Sequence, residues 1–184
     1  MMNKTNLSVV RETFGRVVYT HKTHEKAAEI CISKNKWFKR INVFLLALTT
    51  GSALGSILKV EEFIIYTSML STLALFFLTY QLSLNPEYDA LLHKKTALKL
   101  WHVREQYQNV IADIITERLS PNEISEKRDL LLSELNKILQ DAPQTDSNAY
   151  SKARDALKIK EEMTFSDKEI DSFLPEELRL GKTE

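Results

Sequence analysis

INVFLLALTTGSALGSIL, Ile41 to Leu58, and FIIYTSMLSTLALFFLTYQLSL, Phe63 to Leu84, are two uncharged apolar runs separated only by Lys59-Val60-Glu61-Glu62. As helices, at about 1.5 Å per residue, they reach about 27 and 33 Å, close to the ~30 Å hydrocarbon thickness of a bilayer. The competing reading is a buried soluble hairpin, because the first run is short for a span and contains Asn42, Thr49, Thr50, Ser52 and Ser56. Two near-spanning runs in tandem decide for the bilayer. The expected fold class is all-α, a two-transmembrane helical hairpin continuous with a cytoplasmic helical bundle.

The formal charge of zero hides a partition. Residues 1–40 carry nine Lys/Arg against three Asp/Glu, residues 41–84 carry one against two, and residues 85–184 carry fifteen against twenty. Basic residues crowd the outer flanks of the two runs: Lys26, Lys34, Lys36, Lys39 and Arg40 before, and Lys94, Lys95, Lys99 and Arg104 after. The connection offers only Lys59, beside Glu61 and Glu62. The positive-inside rule then places both termini in the cytoplasm of a multi-pass inner-membrane protein, with the loop outside. No secretory signal is expected, since forty residues precede the first apolar run. Trp37, Phe38 and Tyr80 suit an interfacial aromatic belt. The single Cys31 falls in a segment expected to be cytosolic, and one cysteine permits no disulfide framework.

The domain reading is an N-terminal cytoplasmic amphipathic helix over 1–40, the two-span hairpin over 41–84 (41–58 and 63–84), and a C-terminal cytoplasmic helical region over 85–184. In the first part, Leu7, Val10, Phe14, Val17, His21, His24, Ala28, Cys31, Asn35 and Phe38 recur at alternating three- and four-residue steps. That seam is apolar at its ends and polar in the middle, where bundle pairing is expected to be weakest. A second seam, Leu100, Val103, Tyr107, Val110 and Ile114, follows a helix start at Pro86, with Leu91, Leu98, Trp101 and Ile115 expected to widen the apolar face. Ser120-Pro121-Asn122-Glu123 is a capping box ahead of Ile124, Leu131, Leu135 and Ile138, and Asp141-Ala142-Pro143 closes that helix. A charge-rich helix is expected over Ala149–Met163, then a second capping box at Ser166–Glu169 and a last turn at Pro175–Arg179.

No catalytic pattern is present: no Gly-rich phosphate loop, no HExxH, no CxxC, and no Ser or Cys in a nucleophile setting. An enzyme and a cofactor are not expected. His21 and His24, with Glu25 adjacent and Cys31 two turns on, are the best metal candidates. Only two ligands share a face, short of the three or four a tetrahedral site needs, so polar contacts in a bundle seam are the plainer expectation. An unperturbed pKa near ~6.5 leaves a pH-sensing role open.

The spans carry a small-residue face. Ala47, Gly51 and Gly55 stand four apart, with Ser52 and Ser56 beside them, and the second run offers Thr67, Ser68, Ser71 and Thr72. Such residues let helices approach closely, which favours packing of one span on the other; the alternative is a face bordering a pore between subunits. No acidic or basic side chain lies inside either run, which argues against a proton-coupled transporter or a charge-selective filter. Two spans per chain enclose no water, so a conducting state requires a homo-oligomer. The basic run KNKWFKR, Lys34 to Arg40, is better explained as an anchor at anionic membrane lipid than as a nucleic-acid site.

These pieces resemble the SLATT proteins, SMODS- and SLOG-associating two-transmembrane effectors of prokaryotic conflict systems. The residues that carry the likeness are VVYTHKTHEKAAE at Val17–Glu29, WFKRINVFLLALTTGSALGSI at Trp37–Ile57, and EEMTFSDKEIDSFLPEELR at Glu161–Arg179. The resemblance implies anti-phage defence or abortive infection, in which a sensor protein or a nucleotidyltransferase-derived second messenger triggers membrane permeabilisation. With a hundred residues after Leu84, all helical in pattern, sensing is expected to use a partner or the helical region itself. The likeness at Val17–Glu29 falls on the polar middle of the first seam, so His21, His24 and Glu25 are expected to form a signal-responsive junction. A non-conducting scaffold that recruits a cytoplasmic partner is the alternative; a phage-type lysis pore would not need the long C-terminal region.

Overall fold

A computed structural model describes residues 2–57 and 62–180. The hairpin connection, Lys59 to Glu61, and the first run's last residue, Leu58, lie outside the described residues. Helix α1 runs unbroken over Met2–Ile57, 56 residues, so the N-terminal helix and the first span are one rod. Helix α2, Glu62–Leu84, returns antiparallel to it. Helix α3, Pro86–Ile115, is separated from α2 by a single residue. That residue, Asn85, takes the left-handed conformation (φ 41°) and its side chain accepts a hydrogen bond from the Tyr88 N–H. Asparagine tolerates this conformation better than other L-residues, and Pro86 supplies a first-turn φ without needing its N–H satisfied.

Beyond the hairpin, α3 runs back along α1, and α4, Pro121–Gln140, packs on α3 and touches α1. The core is made of the two expected seams and the third helix's face. Val10 and Val17 of α1 meet Leu100, Val103, Tyr107, Val110 and Ile114 of α3 and Ile124, Leu131, Leu135 and Ile138 of α4. Ser120 caps α4 with a complete capping box, as does Ser166 for α6, Asp167–Phe173. A final 3-10 turn spans Glu176–Leu178. No strand occurs among the described residues.

Three expectations are corrected here. Leu91, Leu98, Trp101 and Ile115 do not widen the core: they are exposed, Leu98 at 68% and Trp101 at 45%, because no helix among the described residues covers that side of α3. Helix α5 spans Ser147–Lys158, not Ala149–Met163; Asp146 caps it, and Glu161 and Met163 adopt left-handed φ of 52° and 75°, which turns the chain back onto α1. The polar middle of the first seam is not its weakest stretch. His21, Lys22, Thr23 and His24 are all buried. Helix α5 lays its alanine stripe, Ala149, Ala153 and Ala156, against α1, and small side chains permit that close approach.

Candidate functional site

The hairpin interior is polar at both ends and apolar between. Near the connection, the Ser52 hydroxyl donates to the Phe63 carbonyl at 3.1 Å and lies 2.7 Å from the Thr67 hydroxyl, with Ser56 3.4 Å from Thr67. At the open end, the Asn42 amide donates to Gln81, Gln81 donates to Asn35 at 3.3 Å, and Asn35 donates to Glu87 at 3.1 Å. Lys39 completes this chain with an ion pair to Glu87 at 3.2 Å. A tight aromatic cluster sits beside it: Phe38 packs edge-on against Phe77 (centroids 5.4 Å) and Tyr80 (6.2 Å), and Trp37 lies against Phe77.

The small-residue face divides. Ser52 is buried between the spans and Ser56, Gly55 and Thr67 are half-buried, whereas Ala47 and Gly51 are exposed. A methyl group added at Gly51 would touch nothing within 4 Å; one at Gly55 would meet the Phe63 ring at 2.8 Å. The span contact therefore runs through Leu45, Thr49, Ser52, Gly55 and Ser56, so that of the Ala47–Gly51–Gly55 stripe only Gly55 packs against α2 while Ala47 and Gly51 turn away. On α2, Ser68, Ser71 and Thr72 face outward, and their hydroxyls donate to the carbonyls of Ile64, Thr67 and Ser68. Each is satisfied by its own helix, so this face needs no water.

The outer surface of the hairpin is hydrocarbon. Phe44, Leu46, Leu75, Phe76 and Leu82 are each more than 60% exposed, and no residue in the most apolar stretch of α2 is fully buried. A soluble hairpin would hide these side chains in a core; here no part of the fold covers them, and a bilayer is the solvent that suits them.

Below the hairpin, the junction gathers the expected residues and one more. His24 and His93 share an Nδ1–H···Nδ1 hydrogen bond at 3.0 Å, both buried, with ring centroids 5.2 Å apart. Burial and the neighbouring His93 and His21 hold the His24 imidazole down to about 4. His93 is lowered by burial as well, against the pull of Asp89 and Asp146. His21 lies one turn away, its Nε2 3.7 Å from Glu25, its Nδ1 buried without a partner, and burial lowers it despite that carboxylate. Lys22 is buried yet charged: burial opposes its ammonium, but Glu162 and Glu25, each at 2.8 Å, outweigh it and raise the pKa. Glu162 also holds Lys26 at 3.4 Å, so the turn after α5 is clamped onto α1. The Lys22 hydrogen bond holds the Glu162 carboxyl below its usual range.

An open cleft of about 620 Å³ flanks this junction, with His21, Glu25, Lys94, Trp101, Arg104 and Met163 among its walls. No group of three or more His, Cys, Asp or Glu side chains stands close enough to hold a metal among the described residues. Cys31 is half-buried in the seam, and burial raises its thiol pKa, which makes it a poor nucleophile.

A 184-residue chain with two lipid-facing helices, a minimal connection and an antiparallel extramembrane bundle matches SMODS and SLOG-associating 2TM effector domain family 4 over residues 7–169. The chain belongs to this family. This SLATT protein is therefore a membrane effector of a defence-associated group, and the matched region takes in the histidine junction, both spans and the Glu162 clamp. No curated protein and no solved structure matches it. His93 escaped the sequence reading because that reading starts the α3 seam at Leu100, although the same alternating steps continue it back through Thr96 to His93, and both are buried.

Proposed function

We propose that this SLATT protein is a homo-oligomeric effector of anti-phage defence that permeabilises the inner membrane when triggered, with abortive infection as the outcome. Both termini lie in the cytoplasm, as the basic flanks of the spans favour. The trigger, a sensor protein or a nucleotide second messenger, acts on the bundle around His21, His24 and Glu25. The observation that carries this reading is the continuity of α1: one helix without a break joins that junction to the lipid-facing span. A shift at the junction is thus transmitted as rigid motion of the span. The trigger must bind the shifted state more tightly than the resting one, since only differential affinity moves the equilibrium.

Conduction needs several copies, because two spans enclose no channel. The outward Ala47–Gly51 surface, open beside Tyr66, Met69 and Leu73, is the face on which a neighbouring copy would pack. The test is a potential-sensitive dye in cells carrying the complete system. Triggering is expected to collapse the membrane potential with the wild-type protein and to leave it intact with Gly51→Leu. A potential that holds in triggered wild-type cells, or a monomeric mass by light scattering in detergent, would refute the pore. The uncovered stripe of Leu91, Leu98 and Trp101 favours a second reading, a non-conducting scaffold whose bundle recruits a partner. That reading requires dye exclusion to persist after triggering while a partner co-purifies.

A further inference from the structure

We propose that the groove between α1 and α3 at the mouth of the hairpin binds the phosphate headgroup of an anionic phospholipid. The proposal rests on residues 41–84 lying in the bilayer, and needs neither pore nor trigger. The groove has a volume of about 730 Å³, within the range of small-molecule pockets, and Lys36, Lys39, Lys94, Asn85, Glu87 and Tyr88 line it. Three ammonium groups thus face one carboxylate. That carboxylate is already engaged by Lys39 and Asn35, which hold Glu87 below its usual range and leave Lys36 and Lys94 without a carboxylate in the groove.

Helix direction aims the charges. Every Cα–Cβ bond of a helix tilts toward its N-terminus. Helix α1 enters the membrane with its N-terminus remote, so Lys36 and Lys39 lean away from the bilayer. Helix α3 begins at the membrane, so Lys94 leans toward it. At about 1.5 Å per residue, Lys39, Lys36 and Lys94 start about 3, 8 and 15 Å from the membrane edge at Ile41 and Leu84, and these opposite tilts bring the Lys36 and Lys94 ammonium groups toward each other, in and just below the headgroup layer of that leaflet. The apolar part of the wall selects lipid over a free anion. Ile32 and Leu91 line the same groove, and Tyr88 and Leu91 are about half exposed beside it. A phosphate alone would leave these side chains in water; a phospholipid's glycerol and upper chain segments cover them.

Native mass spectrometry of the protein in detergent with equimolar phosphatidylglycerol and phosphatidylcholine tests this. Phosphatidylglycerol is expected to be retained at least tenfold in preference. At roughly fivefold per lysine near a lipid surface, Lys36→Gln with Lys94→Gln lowers retention about 25-fold. Lys34→Gln with Arg40→Gln removes the same charge from the basic anchor outside the groove and is expected to lower retention clearly less, by under about fivefold. These substitutions are at exposed positions and leave the core intact. Equal retention of the two lipids, or an equal fall in the control variant, overturns the site. So does displacement of phosphatidylglycerol by glycerol phosphate or inorganic phosphate, which would mean a plain anion site. Quenching of Trp37 by brominated-chain phosphatidylcholine, in a Trp101→Phe background, tests the hairpin separately. Quenching without headgroup preference refutes only the groove; no quenching refutes the bilayer placement on which it stands.

Discussion

Acidification from pH 7.5 to 4.5 is expected to loosen the extramembrane bundle, and His24 is the main cause. Its imidazole is 3% exposed and titrates at about 4 in the folded chain, against 6.5 for the free side chain. At 1.36 kcal/mol per pH unit this amounts to at most about 3 kcal/mol, which screening by water in the adjoining cleft reduces to about 2. The sign follows from proton counts. Between pH 6.5 and 4 the unfolded chain binds a proton at His24 and the folded chain does not, so stability is full above 6.5 and falls as the pH drops toward 4. His21 and His93, both lowered by burial, act in the same direction. The Nδ1···Nδ1 contact at 3.0 Å adds a geometric limit, because a doubly charged pair has no acceptor and must separate.

The carboxylates do not confuse this window. Glu87, Glu123, Glu162 and Glu169 are held below their usual range, so what they contribute is present above about 4.5 and lost only below it. Near-UV circular dichroism melts in one detergent should show a fall of about 4–8 °C between pH 7.5 and 4.5, at roughly 2–4 °C per kcal/mol for a chain of this size. His24→Leu with His93→Leu replaces both partners by apolar groups and is expected to remove more than half of that shift. A wild-type melt that is the same at both pH values would refute the reasoning, as would a double variant that keeps the whole shift.

Further outcomes follow from other contacts. Glu162→Gln removes two ion pairs from the turn after α5, and at about 1 kcal/mol amide exchange across residues 159–165 should rise roughly fivefold; unchanged exchange would mean the clamp contributes nothing. Gly55→Ala forces the Phe63 ring aside and should lower hairpin stability by about 1 kcal/mol or more, whereas Gly51→Ala should leave it unchanged, both read from detergent-denaturation midpoints. Leu100, fully buried against α1, should cost about 2–5 kcal/mol when cut to alanine. Tyr107→Phe should be neutral or raise stability by up to about 1 kcal/mol, since its buried hydroxyl has no hydrogen-bond partner; a clear loss would point to a partner for that hydroxyl.

The helices were legible in the sequence where one physical cause acts alone. Length and apolarity mark the spans, Ser120 and Ser166 mark helix starts by their capping boxes, and the alternating three- and four-residue steps of α1 and α3 mark the core stripe. What depends on a neighbour was not legible. Leu98 and Trp101 have the same side chains whether or not a helix covers them, and none among the described residues does. Gly51 differs from Ser52 by one helical position, about 100°, and which of the two faces α2 is settled by how the spans rotate against each other. The extra residues that bring Glu162 to Lys22 depend on two left-handed φ values at Glu161 and Met163, for which neither residue type is a signal.

The junction was nearer to being legible than those faces. In an antiparallel hairpin extended at both ends, partners stand at nearly equal distances along the chain from the connection near residue 60. Ser52 and Thr67 lie eight and seven residues from it, Asn42 and Gln81 eighteen and twenty-one, Asn35 and Glu87 twenty-five and twenty-seven. His24 and His93 lie thirty-six and thirty-three away. Across the single-residue break at Asn85 this register continues from α2 into α3, each pair staying within three residues of symmetry about residue 60. A connection of four residues thus fixes, through more than thirty residues on either side, which polar groups meet in the bundle. Lengthening it by four residues would move the natural partner of His24 by about one turn of α3, or force the spans to absorb the slack. The near-symmetry of all four pairs is why the short connection and the buried histidine pair belong to one structural constraint.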